Sequence, residues 1–241
     1  MNADDPRLAA EAGTLGPPLV FVALTGDAPG GIAPEPDAAD LRAVHVTPIR
    51  ELVGLRAPLE TIAHTAHREG LDIEIASQDV KRFCLALLKK NGQVLEHVVS
   101  PAVATSPAHE ELREIAPRCA SRHWASHYLS HARLLNNAER SLRNALRAAR
   151  VLHTGRHLMR TGEVVLDLRE LADHAVRDAL DRLAEAPDAP ADEQVWAPRL
   201  RDWSDALERA RDESPLPAQP DASARRALDD WLVRTRFAHL K

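Results

Sequence analysis

Strand-like patterning is confined to the first third of this 241-residue chain, and from Gln78 onward every apolar pattern has helical period. A short sheet region followed by a long helical region excludes an all-β sandwich. The residue usage agrees: aromatics are only 3% of the chain, while Ala and Arg, good helix formers, are abundant. Hydrophobic residues at 44% and charged residues at 28% supply a core and exclude a disordered or fibrous chain.

Residues 1–17, rich in Asp, Ala, Gly and Pro, read as a flexible N-terminal tail. Leu19–Leu24 is a continuous apolar run closed by Thr25-Gly26, the pattern of a buried strand meeting a turn. From Gly26 to Asp40 the chain holds three Gly and three Pro and must be loop. A second strand is expected over Arg42–Val46, before a helix start at Thr47-Pro48, and a third over Leu71–Ala76, where apolar and acidic residues alternate. Val80, Phe83, Cys84, Leu87 and Leu88 then mark an amphipathic helix over Gln78–Lys90. Further helices are expected at 94–99, 108–118, 121–137, 138–161, 168–185, 193–213 and 221–235. The fold class is therefore α+β, with a small mixed sheet and its helices over 18–107 and an α-helical domain over 108–241. A cleft between the two is the default ligand site.

Cys84 and Cys119 form no metal or redox spacing and read as buried thiols. No apolar run approaches the length of a membrane span, and the acidic first residues do not resemble a secretory signal, so a cytoplasmic protein with no membrane partner is expected. His123, His127 and His131 recur at four-residue steps, but no Cys, Asp or Glu at ligand spacing joins them. Trp124, Trp196, Trp203 and Trp231 read as core.

The net charge of −5 excludes bulk attraction to polyanions, but it is unevenly spread. Between His109 and Arg160, ten Arg against four Glu leave +6, so the remainder carries −11. Arg140, Arg143, Arg147 and Arg150 are spaced to share one helix face. Such a row suits phosphate oxygens, or pairs with the acidic remainder.

The loop after the first strand is the most informative segment. Thr25-Gly26 and Gly30-Gly31 would let backbone approach a phosphate, and Asp40 follows Gly26 by fourteen positions, directly before Leu41-Arg42 and the second strand. In TGDAPGGIAPEPDAADLRAV, in KRFCLALLKKNGQVLEHVVSP, in LHTGRHLMRTGEVVLDL and in the terminal SPLPAQPD and WLVRTR, the chain resembles the bacterial nucleotidyltransferases of the DNA polymerase beta superfamily associated with RNA ligase and RNA repair. The resemblance spans about residues 18–236.

That resemblance implies a nucleotidyltransferase-like sheet on which paired aspartates hold two Mg²⁺ ions for nucleotidyl transfer from a nucleoside triphosphate. Asp40 and Asp79 would be the metal ligands and, with Asp37, the catalytic carboxylates. Gly26, Asp27, Gly31, Arg42, Arg143, Arg147 and Arg150 would hold the nucleotide. Two departures fall on the chemistry: Asp27 stands where the family has a phosphate-binding Ser, and Ala38 stands where it has the first metal-binding Asp. The reading that follows is a pseudoenzyme, a diverged nucleotidyltransferase-fold protein with impaired or lost transfer that binds a nucleotide, another polyphosphate-bearing ligand or nucleic acid, or regulates a partner protein. The alternative is an active Mg²⁺-dependent enzyme with replacement carboxylates, acting on a nucleic-acid end or a small molecule.

Overall fold

The computed structural model describes residues 1–55, 58–89, 91–138 and 141–239. Among them are five strands: β1 (Leu19–Thr25), β2 (Ala38–His45), β3 (Thr61–Arg68), β4 (Leu71–Asp79) and β5 (Ala102–Ala104). They form one mixed sheet in the order β3-β4-β2-β1-β5. β2 runs antiparallel to β1 and parallel to β4, while β3 and β4 make an antiparallel hairpin. Its turn is Glu69-Gly70, both with positive φ (48° and 77°), the geometry that matches strand twist.

Two of these strands, β3 and β5, lie outside the sequence expectation. β3 reads TIAHTAHR and buries none of its residues, so it carries no apolar alternation to detect; β5 is three residues long. β2 also begins at Ala38 rather than Arg42, because ladder pairing on both sides, Thr25↔Asp40 and Ala38↔Asp72, extends it beyond its apolar stretch. Asp40 is thereby on a strand rather than in the loop.

The helices are α1 (Pro6–Ala12), α2 (Ile49–Val53), α3 (Val80–Leu87), α4 (Gly92–Val99), α5 (Pro107–Ile115), α6 (Ala125–Asn137), α7 (Leu142–Thr161), α8 (Leu168–Leu171), α9 (His174–Glu185), α10 (Glu193–Asp212) and α11 (Ala222–Phe237). Residues 1–17 are not a loose tail. Asp5 caps α1, whose Leu8 and Ala12, with Leu15, are buried against Val22, Leu41, Ile73 and Ile75 of the sheet. Buried Glu11 anchors α1 to β3 through His64 (2.7 Å) and Arg68. The expected helix over 168–185 is broken between α8 and α9, where the Asp173 side chain accepts a bond from Val176 N–H (3.0 Å) and starts a new helix. Several acids outside the basic segment serve this way: Asp79, Asp167, Asp173, Asp192 and Asp221 all cap helices.

The other face of the sheet, with Phe21, Ala23 and Val44, opens a core that continues through α3, α4 and α7 to Trp124, Trp196 and Trp231. It runs without a break across the expected boundary at residue 107. Trp231 donates its indole N–H to the Ala108 carbonyl (3.0 Å), tying α11 to α5. Cys84 and Cys119 are free and buried in this core. Among the described residues no helix is long and apolar enough to cross a membrane.

Candidate functional site

A cavity of about 580 Å³ lies between the sheet and the helices, lined by the loop after β1, by β2 and β4, and by α4, α6 and α7. Alternation along β2 turns Leu41 and Ala43 toward α1 and leaves Asp40 and Arg42 on this face. Gly26, with φ 82°, holds the turn above them. The positive φ favours glycine, and a Cβ placed there would stand 3.1 Å from the Asp40 carboxylate, a tight contact to which the carboxylate would have to yield.

The loop's carboxylate, Asp27, is almost buried and faces α7. Arg147 grips it with two parallel bonds, Nε to Oδ1 at 2.7 Å and Nη2 to Oδ2 at 2.8 Å. Arg143 adds Nη1 to Oδ2 at 2.9 Å and reaches on to the Ala33 carbonyl at 2.5 Å. One turn along α7, Arg150 donates to Glu96 of α4 at 2.8 Å. Burial works against the charge of Glu96, but the Arg150 guanidinium prevails and holds its carboxyl below the usual range. The hydrogen bonds that Arg147 donates to Asp27 likewise raise Arg147. Three residues of the basic row are thus paired with acids of this chain; the fourth, Arg140, lies outside the described residues. Around the cavity Arg42, Arg147 and Arg150 balance Asp27, Asp40 and Glu96. Its two imidazoles add little charge: burial lowers His131 and drives His97 down to about 4.

The sequence-derived residues divide accordingly. Gly26, Asp27, Asp40, Arg42, Arg147 and Arg150 line one cavity, with Arg143 directly behind Asp27. Gly31 does not line it: its φ is 71°, and a side chain there would collide with Asp167 at the start of α8. That glycine serves loop-to-helix packing. Asp37 is exposed just before β2 and is not among the residues lining the cavity.

Asp79 is held far from Asp40. Register pairs Asp79 with His45, five residues beyond Asp40 along β2, or about 16 Å at strand rise. Its oxygens are committed to Thr47 Oγ1 (2.6 Å), Lys81 N–H (2.9 Å) and Arg236 Nη2 (2.6 Å). Asp79 therefore caps α3 and docks α11, and the geometry does not let it share an ion with Asp40. The carboxylate opposite Asp40 is Glu74 of β4. Glu74 lies in the alternating segment LDIEIA, and strand register brings it beside Asp40. Burial raises the Asp40 carboxyl, with Glu74 adding to the rise and Arg42 opposing it.

A two-metal site needs several carboxylate oxygens free to converge. Here Ala38 has none, both Asp27 oxygens are taken by guanidiniums, and Glu74 has Arg42 at 3.8 Å. Among the described residues no group of three or more His, Cys, Asp or Glu could hold a metal ion. The histidine ladder fares no better. His123 sits in a separate 3₁₀ turn, Arg122–Trp124, while His131 bonds Gln93 (3.1 Å). The residues present do not fit a Mg²⁺ pair with a triphosphate.

Comparison with curated proteins returns no match. Among solved structures, a nucleotidyltransferase-like protein from Exiguobacterium sibiricum 255-15 is similar at 11% identity and a TM-score of 0.34, over 87% of this chain and 74% of that one. The model of the RNA repair pathway DNA polymerase beta family, RlaP, matches residues 5–234, nearly the whole length, through the loop, β2 and the α7 row described above. The chain belongs to the RNA repair pathway DNA polymerase beta family.

Proposed function

We propose that this chain is a diverged member of its family that has lost two-metal nucleotidyl transfer and acts as a binding or partner-regulating module. The observation that carries the reading is the buried clasp of Asp27 by Arg143 and Arg147. A carboxylate offers a guanidinium the same paired oxygens that a phosphate does. Asp27 stands where the family places a phosphate-binding Ser, so the protein's own acid satisfies the groups that would hold a polyphosphate. An incoming triphosphate would have to evict a buried carboxylate and then sit beside it, paying for both desolvation and repulsion. Loss of a ligand oxygen at Ala38 acts in the same direction. The ligands that remain compatible are ones bound without transfer, including nucleic acid or a partner protein.

A second reading, Mg²⁺-dependent transfer from a nucleoside triphosphate to a nucleic-acid end or small molecule, draws support from the adjacent Asp40 and Glu74 on the cleft face. Calorimetry with ATP and Mg²⁺, repeated in EDTA, separates the two. The proposal expects no metal-dependent binding and no transfer of labelled nucleotide. Transfer by the wild type that disappears in Asp40→Ala would overturn it.

A further inference from the structure

Among the described residues, the outer edge of β3 is the longest stretch of sheet backbone without a ladder partner. β3 ends the strand order, and all its ladder partners lie on β4. Its pairing with β4 is continuous from Thr61↔Gln78 to Arg68↔Leu71, with no bulge. The bond from Asp79 N–H to the Glu60 carbonyl (2.9 Å) makes Glu60 and Asp79 a hydrogen-bonded pair. In an antiparallel ladder such pairs alternate, so residues 62, 64, 66 and 68 bond inward while Thr61, Ala63, Thr65 and His67 direct both N–H and C=O outward. Natural edges of this length are protected by Pro, Lys, bulges or a covering element. The segment TIAHTAHR has no Pro, Lys or Gly, and none of its residues is buried.

We propose that this edge pairs with the same edge of a second copy of the chain, antiparallel about a two-fold axis at His64, continuing the sheet across both molecules. In that register Thr61 faces His67 and Ala63 faces Thr65, so all four outward residues of each copy are paired with the four of the other. A shift of the centre to Thr65 would leave Thr61 opposite the Glu69 turn and lose part of the ladder. Side-chain pairing is compatible with the same register: Ile62 meets Ala66, and at each end Arg68, bonded to Glu11 of its own copy, meets Glu60, bonded to Arg82 of its own copy, so opposite charges stand in opposed positions. Leu59, 69% exposed, comes to rest beside the second copy's Glu69-Gly70 turn. His64 meets its own copy at the axis, each imidazole already held by Glu11 at 2.7 Å.

The test is sedimentation velocity over a concentration series up to about 100 µM at pH 8, a range suited to a small interface. Thr65→Pro removes an outward N–H and no ladder bond to β4, so its far-UV spectrum and melting point should stay near wild type. Its dissociation constant should rise about tenfold or more. His64→Lys, which places two ammonium groups at the axis, should dissociate the pair as well, and Thr65→Val should leave it intact. Hydrogen exchange at Thr61, Ala63, Thr65 and His67 should slow with protein concentration in the wild type and not in Thr65→Pro. A wild type that stays monomeric across the series, or a dimer that survives both Thr65→Pro and His64→Lys, overturns the proposal. A monomer whose four edge amides are protected only when another protein or peptide is added overturns it too. None of these outcomes bears on the cleft.

Discussion

At the scale of single residues, the cleft is governed by which charge meets which. Asp27 and the guanidiniums of Arg143 and Arg147 are mutually dependent: removing the carboxylate leaves one guanidinium 11% and another 36% exposed without their acid. Breaking a fully buried pair costs about 3–5 kcal/mol. With Arg147 partly in solvent, about 2 kcal/mol is the expected loss for Asp27→Ser in urea unfolding. The freed pair should then accept inorganic pyrophosphate, visible as a melting point that rises with added pyrophosphate in Asp27→Ser and not in wild type. Adding Ala38→Asp should make that binding Mg²⁺-dependent if Ala38 stands at the vacated ligand position; indifference to Mg²⁺ would place the loop in a different register. The loop glycines and the identities of Asp27 and Ala38 were legible from sequence, because those are local. The partners of Asp27 were not, since Arg147 lies 120 positions away.

Between elements, buried polar groups set the pH and mutational response. His153 of α7 is 5% exposed, packs edge-on against Trp203 of α10 with ring centroids 4.8 Å apart, and neither ring nitrogen has a hydrogen-bond partner among the described residues. Burial lowers it from 6.5 to about 4. A folded-state value below the unfolded one means the neutral ring stabilises the fold above pH 6.5, and that this contribution is lost as pH falls toward 4. At 1.36 kcal/mol per unit the loss is about 3 kcal/mol, and His153→Phe should flatten the decline in a pH series of denaturant melts. The C-terminal helix offers a second test. Arg236 of α11 and Asp79 of β4 are 12% and 8% exposed and bonded at 2.6 Å. Arg236→Ala should cost about 3 kcal/mol by leaving Asp79 buried and unpaired. Asp79→Asn should likewise destabilise while leaving any Mg²⁺ or nucleotide binding unchanged, an outcome a metal-ligand role for Asp79 would not allow. Most helices were readable from period and caps, since an amphipathic helix carries its signal locally. β3 was not, because an exposed edge strand answers to ladder bonds rather than to burial, and α8 and α9 were separated by a cap at Asp173 that looked like one more acidic residue.

For the molecule as a whole, the continuous core from Phe21 to Trp231 predicts one cooperative unit. Near-UV and far-UV circular dichroism should report a single coincident unfolding transition, and a fragment of residues 1–107, deprived of α5, α7 and α11, should not fold. Two separated transitions would instead support independent halves. By itself the sequence determined the α+β class, the order of strand region and helical region, the Gly-rich loop and the family, because composition, period and motif are properties of neighbours along the chain. It also showed charge divided into +6 and −11. Tertiary structure alone decided what that division means. Strand register set Glu74, not Asp79, beside Asp40, and packing of the loop on α7 turned a row of arginines from a free polyanion site into partners of Asp27 and Glu96. Electrostatic pairing acts through distances of a few ångströms in space, and those distances are fixed only when the chain has folded back on itself.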